Sequence, residues 1–172
     1  MRLALDWGDV RIGVARCDPA GLLAYPYGTV AAGPDELAEL VALVVELAPL
    51  EVIVGLPRSL SGADGPAAVK ARDRAAVLVQ ALTAAGRTTP VRLVDERLST
   101  VTAARQLRDS GRRAKDQRAV IDAAAAVTIL EHALAAERSR NVPPGELVSA
   151  AVVPGQAASS AGGPEDRSQE MP

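Results

Sequence analysis

"LALDWGDVRIGVA", residues 3–15, sets one apolar run against another across a short polar break. Leu3-Ala4-Leu5 has the near-continuous apolar character of a strand covered on both faces, and Ile12 to Ala15 reads as a shorter strand. Asp6-Trp7-Gly8 forms a glycine-containing turn after the first run, and so short a connection favours an antiparallel hairpin. A third strand, Leu22 to Val30, follows the turn Asp18-Pro19-Ala20-Gly21. Read alone, Asp6 is a turn former or a helix cap.

Two more apolar runs, Val52-Ile53-Val54 and Val91 to Val94, have the same buried character. They end in Gly55-Leu56-Pro57 and Asp95-Glu96-Arg97. Between them the period changes to that of helices. Gly33-Pro34-Asp35-Glu36 announces one, with an apolar stripe of Leu37, Leu40, Val41, Val44 and Leu47. A second runs from about Pro66 to Ala85, where Gly86 can cap it. A third is predicted from Ser99 or Thr100 to Gly111, and a fourth from Asp116, a good N-cap. The predicted order is β-β-β-α-β-α-β-α-α, an α/β fold whose buried strands suit a parallel sheet packed by helices.

At 172 residues the chain suits one domain with a real core rather than two of ordinary size. Its hydrophobic share of 48% and charged share of 23% are those of a soluble fold, not of a disordered chain. No apolar stretch approaches the ~18 residues of a spanning helix, and Asp6 interrupts the start before a secretory pattern can develop. A cytoplasmic protein without a membrane partner is expected. Residues 141–172 hold five prolines and four glycines without periodicity, so a disordered tail is expected to follow a domain spanning 1–140. The tail's four acids against one arginine leave residues 1–140 at +1 within a chain of net charge −2.

Cys17, the only cysteine, rules out an internal disulfide and reads as a small buried hydrophobe in a strand. His132, the only histidine, rules out multi-histidine metal sites and reads as a partly exposed residue late in a helix. Chemistry here rests on carboxylates.

In an open α/β sheet, sites form beyond the carboxyl ends of the strands. If strands one, four and five are parallel neighbours, Asp6, Gly55 and the Asp95-Glu96 pair all arrive at that edge. The stretch Ala119 to Leu130 adds Asp122, one ionisable residue in an otherwise apolar helix. A carboxylate there needs an arginine, hydrogen-bond donors or a metal. Arg118, four residues earlier, is one candidate partner. The other reading has Asp6, Glu96 and Asp122 converge on a divalent ion, and oxygen ligands suit Mg²⁺ or Mn²⁺. Two such ions can orient a water and stabilise the leaving oxygen of a phosphodiester. Residues 97–118 carry seven basic residues, among them Arg97, Arg112, Arg113, Lys115 and Arg118, against two acids. That stretch is either a solvated helical face or a phosphate-binding surface.

Four ordered stretches carry a family resemblance: "LALDWGDVRIGVA" (3–15), "EVIVGLPRSLSG" (51–62), "VRLVDERLST" (91–100) and "KDQRAVIDAAAAVTILE" (115–131). With them the chain resembles the YqgF/RuvX-type proteins, ribonuclease H-like nucleases assigned both to four-way junction resolution and to maturation of small-subunit ribosomal RNA precursors. The resemblance covers residues 1 to about 138. It implies a mixed five-stranded sheet, an antiparallel meander continuing into parallel strands, flanked by helices. It makes Asp6, Glu96 and Asp122 the catalytic, metal-holding acids, with Asp95 as support. Gly8 would leave room beside a phosphate, or serve hairpin geometry alone. Arg97 would grip a phosphate or lock the carboxylates.

The resemblance therefore implies a Mg²⁺- or Mn²⁺-dependent nuclease acting on structured RNA, the 5′ end of the 16S precursor in particular. A resolvase acting on branched DNA is the alternative, and a non-catalytic RNA-binding assembly factor the third reading. Junction resolution asks for a homodimer, RNA processing only for a monomer. With 2% aromatic residues and no Phe, recognition is expected through shape and phosphate rather than base stacking. The hairpin also resembles the phosphate turn of actin-like ATPases, but those need a second domain for which the chain has no room.

Overall fold

The computed structural model describes residues 1–58, 64–95 and 115–149, with only the helix backbone over 115–122. Its elements are β1 (Leu3–Trp7), β2 (Arg11–Cys17), β3 (Ala24–Ala31), α1 (Glu36–Leu47), β4 (Val52–Leu56), α2 (Pro66–Ala84), β5 (Val91–Asp95), α3 (Lys115–Arg140) and β6 (Glu146–Leu147). The helix predicted from residue 99 to Gly111 lies outside the described residues. The last long helix already includes Lys115, ahead of the expected cap at Asp116.

The sheet order is β3-β2-β1-β4-β5-β6. β1 pairs antiparallel with β2, and β2 with β3, while β4 lies parallel to both β1 and β5. This is the expected meander continuing into parallel strands. The strand count is six rather than five. Glu146–Leu147 pairs antiparallel with β5, inside the stretch beyond Asn141 where no strand period is visible. Gly145 makes that docking possible. Its φ of 68° belongs to the left-handed region, and a Cβ there would overlap the Leu93 carbonyl.

Both faces of β1, β4 and β5 are covered, which is why these strands read as near-continuous apolar runs. Leu3, Leu5, Val14, Val54 and Leu93 face one layer, packing with Leu40 and Val44 of α1 and Ala75, Leu78 and Leu82 of α2. Ala4, Ala15, Cys17, Ile53 and Val94 face the other, against Ala125, Ala126, Ile129, Leu130 and Ala133 of α3. Among the described residues, no helix is long and apolar enough to cross a membrane. Cys17 is fully buried in β2, where its Sγ accepts the Arg2 amide N–H at 3.1 Å. His132 is half-buried in α3.

The edge of the sheet where β1, β4 and β5 begin is locked by charge. Arg2 Nε donates to Glu51 Oε1 at 2.6 Å and Arg2 Nη2 to Glu137 Oε1 at 2.7 Å, while Arg92 Nε donates to Glu51 Oε2 at 2.8 Å. Glu137 lies near the end of α3, so the helix finishes at this edge and its earlier turns point toward the opposite, carboxyl edge. That orientation positions the site.

Candidate active site

β1 ends not at Leu5 but at Trp7, because Asp6 and Trp7 continue the ladder opposite Gly13 and Ile12 of β2. Asp6 is therefore a strand residue, not a turn former. Side chains alternate along a strand, so Asp6 shares the α3 face with Ala4, while Leu3 and Leu5 face α1 and α2. It is 1% exposed, at the carboxyl end of the strand. A carboxylate so withdrawn from water must be met by donors or a cation.

The turn after it is tight. Gly8 N–H donates to the Arg11 carbonyl at 3.0 Å, and a Cβ on Gly8 would come within 2.7 Å of that oxygen. Hairpin closure thus accounts for Gly8. The salt bridge from Lys70 of α2 to Asp9, 2.7 Å, ties the hairpin tip to the helical layer. Arg11 follows the tip in β2, two residues before Gly13 and so on the Asp6 face. It is half-buried, and no carboxylate pairs with it among the described residues.

Asp95 ends β5 opposite Leu56 of β4. Alternation places it with Leu93, on the face of α1 and α2. There its Oδ2 lies 3.8 Å from Arg58 Nη1. Arg58 Nε donates to Asp64 Oδ1 at 3.0 Å, and Arg72 Nε of α2 donates to Asp64 Oδ2 at 2.7 Å. Arg72 Nη1 also reaches both carboxylate oxygens of Glu146 in β6, each at 2.9 Å. The Arg72 hydrogen bond, with the nearby guanidinium charges, holds the Asp64 carboxyl below its ordinary pKa. This chain of charge clamps both described ends of the β4–α2 connection and joins them to β6.

Of the acids singled out in the sequence, Asp6 has a described side chain; for Asp122 the helix backbone alone is described, four residues before Ala126 in the cluster around Ala4. Glu96, Arg97, Arg112 and Arg113 lie outside the described residues, and Lys115 and Arg118 belong to the described backbone of α3. Accordingly, no group of three acids or imidazoles gathers among the described residues. What is described fits a hard divalent cation: a buried carboxylate at a strand end, on the face that α3 covers. Sequence reasoning missed Arg11, Arg58, Asp64 and Arg72. For Arg11 a signal existed, since the strand period sets it on the face of Gly13 and Asp6. For the others none did, because their partners are remote.

The family model described as "RuvX: Holliday junction resolvase" matches residues 1–136. The chain belongs to the RuvX family. A Nocardioides relative named "Putative pre-16S rRNA nuclease" is 50% identical over 153 residues, covering 86% of this chain and 96% of that one. A Streptomyces coelicolor relative of the same name is 52% identical over 153 residues, covering 88% and 89%. The solved structure of Thermus thermophilus RuvC aligns with 80% of this chain and 96% of its own, at 19% identity and a TM-score of 0.44.

Proposed function

We propose that this RuvX-family protein is a divalent-metal-dependent nuclease that hydrolyses phosphodiester bonds at the 5′ end of precursor 16S ribosomal RNA in the cytoplasm. The observation that carries the reading is Asp6, buried at the carboxyl end of β1 on the face that α3 covers. Glu96 and Asp122 complete the ligand set in this reading. Asp95 is engaged toward Arg58 on the opposite face, which leaves Glu96, its neighbour, as the better partner for Asp6.

Bound there as a pair, Mg²⁺ or Mn²⁺ ions would supply Lewis-acid stabilisation of the charge that builds on the cleaved phosphate. The remaining work belongs to the chain. The carboxylates fix the ions, and Arg11 on the Asp6 face offers a cation to the phosphodiester. Arg97, Arg112, Arg113, Lys115 and Arg118 hold the polyanionic backbone and set position rather than sequence choice. Binding should accordingly weaken steeply with salt.

The test is cleavage of a 16S precursor and of a synthetic four-way junction by the same preparation, with Mg²⁺ and with EDTA. Metal-dependent trimming of the precursor is expected, and Asp6→Asn, Glu96→Gln and Asp122→Asn should each abolish it in a folded protein. Undiminished cleavage after any two of these substitutions would overturn the ligand assignment. The description of the matched family favours a second reading, junction resolution in DNA recombination. That reading requires paired cuts and a homodimer, so a monomer on the junction in sedimentation rejects it. Tight RNA binding without cleavage would select the third reading, an assembly factor that keeps the fold.

A further inference from the structure

Away from that site, on the α1–α2 side of the sheet, β2 and β3 gather the chain's two tyrosines around one guanidinium. Arg16 is the ladder partner of Tyr25, and Tyr27, which the ladder skips at a bulge between Pro26 and Gly28, brings a second ring to the same guanidinium. The Arg16 Cζ stands 5.2 Å from the Tyr25 ring centroid and 5.0 Å from that of Tyr27, within cation–π range of both. The rings remain open to solvent, at 37% and 39% exposure. Together with Trp7 they are all the aromatic residues the chain has.

Two features indicate what such a surface takes. No carboxylate pairs with Arg16 among the described residues, and its buried Nε has no hydrogen-bond acceptor. A guanidinium fixed by two rings and, among the described residues, without a counter-charge matches a phosphate. The strand itself is closed to another strand. β3 is an edge of the sheet, yet Pro26, between the two tyrosines, removes an N–H from the ladder. A symmetric contact between two copies would also set Arg16 toward Arg16.

We propose that Arg16, Tyr25 and Tyr27 form an accessory contact for an unpaired nucleic-acid strand, with Arg16 holding a phosphate and the tyrosines stacking on bases. The scarcity of aromatic residues does not preclude stacking when those present share one surface. Arg16 pairs with Leu3 of β1, three residues before Asp6, so the contact sits roughly 10 Å along the strand from the catalytic acid, on the other side of the sheet. The surface thus binds substrate outside the reacting segment, an inference that rests on the nuclease reading.

The experiment measures binding of fluorescein-labelled single strands of one sequence, as RNA and as DNA, and of the corresponding duplex, by anisotropy in EDTA so that no cleavage intervenes. Arg16→Gln and the double variant Tyr25→Ala/Tyr27→Ala should each bind the single strands about tenfold more weakly, with a smaller effect on the duplex. The RNA and DNA arms report which strand is preferred. Photo-cross-linking of a thiouridine-containing strand to the wild-type chain, which needs no variant to fold, should mark Tyr25 or Tyr27. Wild-type affinity in both variants, or cross-links confined to other residues, would overturn the proposal. So would a wild-type dimer that the tyrosine substitutions split into monomers, since the surface would then join two copies. Absence of precursor cleavage with these binding results intact would sink the nuclease reading alone.

Discussion

Asp6 and Asp95 end strands separated only by β4, yet they stand on opposite faces of the sheet, Asp6 toward α3 and Asp95 toward Arg58 at 3.8 Å. The two carboxylates therefore serve different partners. Asp6 belongs to the proposed metal site, and Asp95 holds the β4–α2 connection beside it.

That division makes a graded prediction. Asp95→Asn should lower cleavage about tenfold, the effect of a residue that supports a site rather than forming it. Asp6→Asn should lower it by more than the ~100-fold upper end of that class. Single-turnover rates at saturating Mg²⁺, with circular dichroism to confirm the fold, separate the two. Equal losses would mean that the faces are wrongly assigned.

The tether through Asp64 has a defined dependence on pH. Its carboxyl is held below the ordinary value, chiefly by the Arg72 hydrogen bond. A depressed pKa contributes stability that is present above the unfolded value of about 3.9 and is lost as pH falls through the lower folded value. The difference in urea midpoint between wild type and Asp64→Asn should thus be constant near neutrality and shrink in acid. A difference that grows in acid would contradict the tether.

At the opposite edge of the sheet, Glu51 receives both Arg2 and Arg92 and is buried. Removing the acid strands the Arg92 guanidinium and leaves Arg2 with Glu137 alone, and breaking a buried pair costs about 3 kcal/mol. For a chain of this size Glu51→Ala should lower Tm by roughly 6–12 °C. Because Glu51 lies far from Asp6, cleavage per folded molecule at low temperature should stay unchanged, as thermal unfolding and activity on one sample will show.

Gly145→Ala tests whether β6 matters to the site. The substitution forces a Cβ into the Leu93 carbonyl at a positive φ, so β6 should detach and carry Glu146 away from Arg72. Hydrogen exchange should then quicken at Val148, whose N–H donates to the Val91 carbonyl at 2.9 Å. If β6 supports the connection through Arg72, cleavage should fall by about the same factor as in Asp95→Asn.

β1, β4, β5 and the first two helices are legible in the chain because both faces of the sheet are covered there, which turns these strands into near-continuous apolar runs, while short connections make the meander legible. Boundaries are less so. Asp6 reads as a turn former by composition, and pairing with Gly13 is what makes it a strand residue. β6 has no period to read: two exposed residues form a strand because Gly145 lets the backbone approach Leu93.

By itself, the sequence determined which residues are apolar in which rhythm, and hence the layers, the strand order along the chain and an acid at the end of β1. Tertiary structure alone decided which side each charged residue faces and whom it meets. Arg2, Glu51, Arg92 and Glu137 come from four distant segments, and so do Asp95, Arg58, Arg72 and Glu146. An apolar residue is satisfied by any apolar neighbour, so its place can be read from a local pattern. A charge needs one particular partner at hydrogen-bond distance, and register and helix orientation fix that partner only once the chain has folded.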